Sequence, residues 1–137
     1  MSHPQKVFTA EEADQMLGTI ISILEQLQGL HHSILKTEQE IQDASAKVNA
    51  GNGYPIDELK EQIADMTEHQ MNLVQAFQSA LEQLEQLGCL LKDLTQGLVD
   101  FYSLRDGELV FLCWKLGEDR VRFWHGVDTG YADRQPL

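Results

Sequence analysis

Cysteine is scarce, with only Cys89 and Cys113 in 137 residues, and no Cys-x-x-Cys spacing occurs. That argues against a disulfide framework and for reduced thiols. Proline (3) and glycine (10) are not in excess, so fibrous and low-complexity classes are set aside. No stretch approaches 18 apolar residues, and the head, MSHPQKVFTAEE, carries no apolar core of a secretion signal. We therefore expect a cytoplasmic protein with no membrane span. Basic residues are few, 10 against 22 acids, for a net charge of −12. The imbalance sits in residues 9–87, which hold 14 acids and 3 bases; residues 88–137 hold 8 and 6. Such a surface repels phosphate backbones and anionic membranes, so neither nucleic acid nor membrane is the expected partner. Its plainest role is a solvated helix face. The length fits a single domain, 1–137.

Two long helices dominate what is present. Thr9-Ala-Glu-Glu12 has the form of a capping box: the Thr9 hydroxyl accepts from the Glu12 amide and the Glu12 carboxylate reaches back. From there Leu17, Ile20, Leu24, Leu27, His31, Ile34, Glu38, Ile41, Ser45 and Val48 recur at a mean step of about 3.5, a coiled-coil period, over a helix spanning 9–49. The breaker-rich NAGNGY follows, and Pro55 suits the first turn of a second helix, 55–87. Its seam is Leu59, Ile63, Met66, Gln70, Leu73, Phe77, Ala80, Leu84 and Leu87. So short a loop makes the helices antiparallel, so that facing positions sum to about 107 or 108. This pairs Val48 with Leu59, Ile34 with Leu73, Ile20 with Leu87, and the two polar interruptions, Glu38 with Gln70. Each helix keeps a second apolar stripe (Ile21 and Leu35; Val74 and Leu81) that a lone hairpin leaves open. Pairing two hairpins into a four-helix bundle would cover these stripes, which predicts a homodimer through the helices.

Gly88 is a natural helix stop, and beyond it the 3.5 repeat is lost. Residues 89–128 then read as a small antiparallel sheet. Cys89–Asp93 and Leu98–Phe101 are short strands, although a second helix running on to about Thr95 is an alternative. Arg105-Asp-Gly107 is a turn, and Glu108–Leu116 and Val121–Asp128 form a hairpin across Gly117–Arg120. Pairing Leu116 with Val121 puts Val110, Leu112, Trp114, Phe123 and His125 on one face. Phe111, Cys113, Lys115, Trp124 and Asp128 fall on the other. Both faces carry large apolar groups. One is expected on the helices, the other under the C-terminal tail (129–137) or a partner. The class is thus α+β: a long antiparallel, coiled-coil-like helical hairpin followed by a small antiparallel β-sheet built on a C-terminal hairpin.

Several tail motifs carry a family resemblance. KVFTAEEA at the head, Leu91-Lys-Asp93, Gly97–Phe101, Leu112-Cys-Trp114, Trp124-His125, Asp128, Gly130, Arg134 and Pro136 together resemble bacterial domain-of-unknown-function family 2203. Tyr102 departs from that pattern, which has proline there, and the long middle matches only as generic helix. The resemblance implies a small bacterial cytosolic protein of helical-hairpin-plus-sheet type and no particular activity.

Four groups are candidates for function. His125 and Asp128, three apart and near Cys113, are candidate ligands for a divalent metal such as zinc, against the plainer role of a histidine satisfied inside a sheet. On the assumed register, however, His125 faces away from both Cys113 and Asp128. That register also argues against Cys113 as a nucleophile served by His125. Asp100, Lys92 and Arg134 are candidates for binding a small anion or polar metabolite; their plainer role is intramolecular ion pairing. Trp114 and Trp124 are candidate anchors for a protein partner or a ligand, against simple core packing. His31, His32, His69 and Glu38 lack the Glu-x-x-His spacing of di-iron bundles, and Glu38 with Gln70 suits a register-fixing polar layer. No cofactor is indicated with any force. The leading expectation is a non-enzymatic, dimeric interaction or regulatory module with an unidentified protein partner. The alternative is a metal- or metabolite-binding protein, or an enzyme, with its site around the C-terminal hairpin.

Overall fold

In the computed structural model, residues 6–137 are described. Helix α1 (Ala10–Ala50) starts at the capping box: the Thr9 amide donates to Glu12 Oε1 (2.9 Å) and the Glu12 amide to Thr9 Oγ1 (3.1 Å). Helix α2 (Ile56–Gln86) begins just after Pro55 and stops before Gly88, whose φ of 96° an L side chain rarely adopts. Five strands follow: β1 (Cys89–Asp93), β2 (Leu98–Arg105), β3 (Glu108–Lys115), β4 (Phe123–Gly126) and β5 (Gln135–Pro136). They form one antiparallel sheet in sequence order. The fold is thus two long packed helices and an antiparallel sheet, and residues 89–93 and 98–101 are strands joined by a turn, not an extension of α2.

The chain divides into two compact units. One is the middle of the helical hairpin, residues 26–80. There the antiparallel register appears directly: Gln70 Nε2 donates to Glu38 Oε2 at 2.9 Å, the polar pair expected to face each other. Few side chains in this unit are buried, Leu27, Thr37, Ala44, Leu59 and Ala80 among them, while Leu35, Met71 and Val74 are exposed.

The other unit joins the helix ends to the sheet (residues 6–25 and 81–137). Its core holds Ile20, Leu24 and Leu84 from the helices and Val99, Phe101, Leu112 and Trp114 from the sheet, each nearly sealed from solvent. Removing side chains of this size from water contributes roughly 1.5–3 kcal/mol each. Phe8 seats its ring edge-on to Phe101, 5.4 Å between centroids. The β2–β3 turn is the tightest kind. Arg105 pairs with Glu108, leaving Asp106 (φ 52°) and Gly107 (φ 81°) as a two-residue loop with both φ positive.

The β3–β4 register departs from the expectation. Cys113 pairs with Phe123 and Phe111 with His125, one residue out of step with a Leu116–Val121 pairing. The cause is the connection. Rather than a four-residue turn, residues 116–122 form a longer irregular loop held by specific bonds. Glu118 Oε1 accepts from the Lys115 amide at 2.7 Å, the Glu118 carbonyl accepts from Trp114 Nε1 at 3.1 Å, and Asp14 Oδ1 accepts from the Val121 amide at 2.7 Å. β4 therefore starts at Phe123 and ends at Gly126, shorter than the 121–128 strand expected. A one-residue slip exchanges the faces of a strand. Trp124 thus joins Val110, Leu112 and Trp114, while His125 joins Phe111 and Cys113.

Candidate functional site

β2 reads Leu98-Val-Asp-Phe101, an acid inside an apolar run, and strand alternation turns Asp100 away from Val99 and Phe101. It lies directly opposite Cys113 on β3, and His125 sits one step along on β4. All three are buried, and their ligand atoms lie within 4.8 Å of one another. This is the only group of three or more metal-ligating side chains among the described residues.

The hydrogen bonds around His125 determine its chemistry. Nδ1 lies 2.8 Å from the Gly126 carbonyl, which accepts only, so Nδ1 carries a proton. Nε2 lies 3.0 Å from Asp100 Oδ2. A lone pair facing a carboxylate would repel it, so one proton lies between these two atoms. Burial pushes the Asp100 carboxyl above the usual carboxylate range, against the pull of His125 and Lys92. Burial likewise pushes the Cys113 thiol up to about 11, and the neighbouring Asp100 charge adds to the rise. Titratable groups are thus packed away from water with mainly one another as partners, an expensive arrangement for a core.

The C-terminal segment covers this face. Arg134 makes two hydrogen bonds to the Glu118 carboxylate, 3.1 and 2.7 Å, and its guanidinium stands 4.0 Å from the Phe123 ring centre and 4.4 Å from that of Tyr131. Its Nη1 also reaches to 4.0 Å from Cys113 Sγ. Beneath that segment lies a cavity of about 240 Å³, with Lys92, Phe111, Thr129 and Tyr131 in its walls beside the three buried groups.

The family's sequence profile matches residues 6–137, essentially the whole chain. The chain belongs to the DUF2203 family, described as an uncharacterized conserved protein. No curated protein and no solved structure matches this DUF2203 chain.

The fold sorts the residues singled out from sequence. Cys113 and His125 come together, which the register expected from sequence had denied. Asp128 does not join them: it is exposed beyond the end of β4, and Asp100 supplies the carboxylate instead. Lys92 stands 5.0 Å over the Phe111 ring at the cavity, whereas Arg134 is committed to Glu118. Trp114 is fully buried with its indole satisfied, a core residue, while Trp124 is half-buried with Arg105 stacked 4.7 Å from its ring centre. His31, His32 and His69 are exposed on the helices. Glu12 and Asp14, the acids at the start of α1, serve the helix cap and the Val121 amide. Asp100 was singled out as a polar-ligand residue rather than as a metal ligand beside Cys113, and the signal for the latter was a lone carboxylate in the middle of an apolar strand.

Proposed function

We propose that this DUF2203 protein binds a divalent transition metal, zinc foremost, through Asp100, Cys113 and His125. The observation that carries this reading is the buried convergence of one carboxylate, one thiol and one imidazole. The donor set suits zinc, which takes oxygen, sulfur and nitrogen ligands at about 2.0–2.3 Å. Tetrahedral bonds of that length put ligand atoms roughly 3.3–3.8 Å apart, within reach of small side-chain rotations from the present spacing. The Gly126 carbonyl supports the same reading. It fixes the histidine tautomer with Nε2 turned toward the cluster, as partners of ligating histidines do. A cation would replace the proton between Asp100 and His125 and that on Cys113, and two anionic ligands would balance its charge. Three protein ligands with a fourth position open belong to reactive rather than purely structural zinc sites. Here the adjoining cavity could admit water or a small ligand to that position. The test is calorimetric titration of chelator-treated, untagged protein with zinc at fixed pH in two buffers of different ionisation enthalpy. One zinc per chain with net proton release supports the reading; no binding at micromolar zinc rejects it.

A second reading, self-association through the helical hairpin, has its own support. Leu35, Met71 and Val74 are 57%, 59% and 36% exposed, an apolar stripe outside the Glu38–Gln70 seam. A second copy would cover it and leave the sheet to meet a partner. Light scattering at about 100 µM should give twice 15.5 kDa for the wild type and 15.5 kDa for a Leu35→Glu/Val74→Glu variant. A wild-type mass of 15.5 kDa at that concentration rejects it.

A further inference from the structure

The metal reading leaves the cavity beside the cluster without an assigned ligand. Its volume of about 240 Å³ lies below the roughly 300–1,000 Å³ of drug-sized pockets, so it suits a molecule of only a few carbon atoms. Asp100, Cys113 and His125 all border it. Leu98 and Phe111 are buried in its wall, while Val127 and Tyr131, in the same wall, are exposed. The cavity therefore offers a ligand both apolar surface and a way in from solvent.

One lysine and no arginine line it. Lys92 sits at a bulge of β1, between Leu91 paired with Val99 and Asp93 paired with Leu98, a place where a strand re-aims a side chain. Its ammonium stands 5.0 Å over the Phe111 ring, which also meets the His125 imidazole, 5.4 Å between centroids. Lys92 forms no ion pair among the described residues. Asp93 borders the cavity too, but its two oxygens accept from the Gln96 amide and side chain at 3.0 and 3.4 Å. Charge then narrows the ligand. The Asp100 and Cys113 anions balance a divalent metal, so a single positive charge, that of Lys92, is left to face the cavity. One negative charge answers it and two exceed it. The apolar wall adds a short hydrocarbon tail on the same molecule.

We infer, resting on the metal reading above, that the ligand of this site is a small aliphatic monocarboxylate, its carboxylate set between the open position of the metal and the Lys92 ammonium and its short tail against Leu98, Phe111 and Val127. Cobalt(II) replaces zinc in the test, because it accepts the same nitrogen, oxygen and sulfur donors and its visible bands report a change of ligand. Chelator-treated, untagged protein carrying one equivalent of cobalt is titrated with butyrate in a carboxylate-free buffer. The bands should shift saturably, and neutral butyramide should leave them unmoved. Lys92→Met keeps the length of an exposed side chain and deletes its charge. It should give the same cobalt spectrum and bind butyrate about tenfold more weakly, the loss of one charge-assisted hydrogen bond. Three results overturn this proposal and leave the metal reading standing: cobalt bands unmoved at about 100 mM butyrate, an equal response to butyramide, or equal butyrate affinity in Lys92→Met. A wild type that develops no cobalt bands overturns both.

Discussion

Asp100→Asn separates a metal site from a buried polar pair that merely fills space. The substitution keeps shape and removes charge. His125 Nδ1 is held by the Gly126 carbonyl, so the neutral ring offers Nε2 as an acceptor, and the new amide can donate to it across the present 3.0 Å. The hydrogen bond is thus replaced rather than lost, and metal-free stability should stay within about 1 kcal/mol of wild type. The pH dependence has a definite sign. Burial raises the Asp100 carboxyl, so the folded state holds its proton more tightly than the unfolded chain does. The stability this supplies is complete below about pH 4 and is lost as pH rises through the raised folded value. The amide does not titrate, so the variant should gain on the wild type from acid toward neutral pH. Metal reverses the ranking. At zinc a hundredfold above its Kd the wild type should gain about 2.7 kcal/mol, on the order of 10 °C in Tm for a chain of this length. The variant, with one anionic ligand gone, should gain little. The assay is scanning calorimetry of both proteins with chelator and with zinc. Equal zinc-induced shifts in the two, or none in the wild type, would refute the reasoning.

Other substitutions probe the frame that holds the site. Gly97 has φ 70°, and a Cβ there would stand 2.5 Å from Leu116 Cβ, so Gly97→Ala should cost at least about 2 kcal/mol in urea unfolding; a loss under 0.5 kcal/mol contradicts the packing. Cys89 and Cys113 are both buried, with thiols pushed up to about 11, so metal-free native protein should leave both unmodified by Ellman's reagent at pH 8, and denatured protein should show 2 reactive thiols. One fast-reacting native thiol would show an open cluster. Replacing Glu38 and Gln70 together by leucine should raise Tm by removing a polar layer from the seam, and a lowered Tm would mean that the pair stabilises the hairpin outright.

The helices were legible because period and punctuation agree. The Thr9 cap, the NAGNGY loop and Gly88 mark ends, and the loop alone sets the register that brings Gln70 to Glu38. The sheet's strands were legible, but not their alignment at the site. A strand pairing read from sequence depends on the loop between, and the 116–122 loop owes its length to Glu118 folding back on Lys115 and to Asp14 holding Val121 from a helix more than a hundred residues away. Nothing local in sequence announces that contact. The error of one residue turned His125 to the wrong face and hid its meeting with Cys113. Asp100 was singled out with Lys92 and Arg134 for binding a small polar ligand, and joining it to Cys113 required the β2–β3 pairing.

X-ray absorption at the metal edge, on untagged protein equilibrated with one equivalent of zinc, tests the central claim most directly. One sulfur at about 2.3 Å with two or three nitrogen or oxygen neighbours at about 2.0–2.1 Å is expected, the sulfur vanishing in Cys113→Ser. A shell of oxygen and nitrogen alone in the wild type, unchanged by that substitution, would show that zinc lies elsewhere and that the Asp100, Cys113 and His125 cluster is not a metal centre.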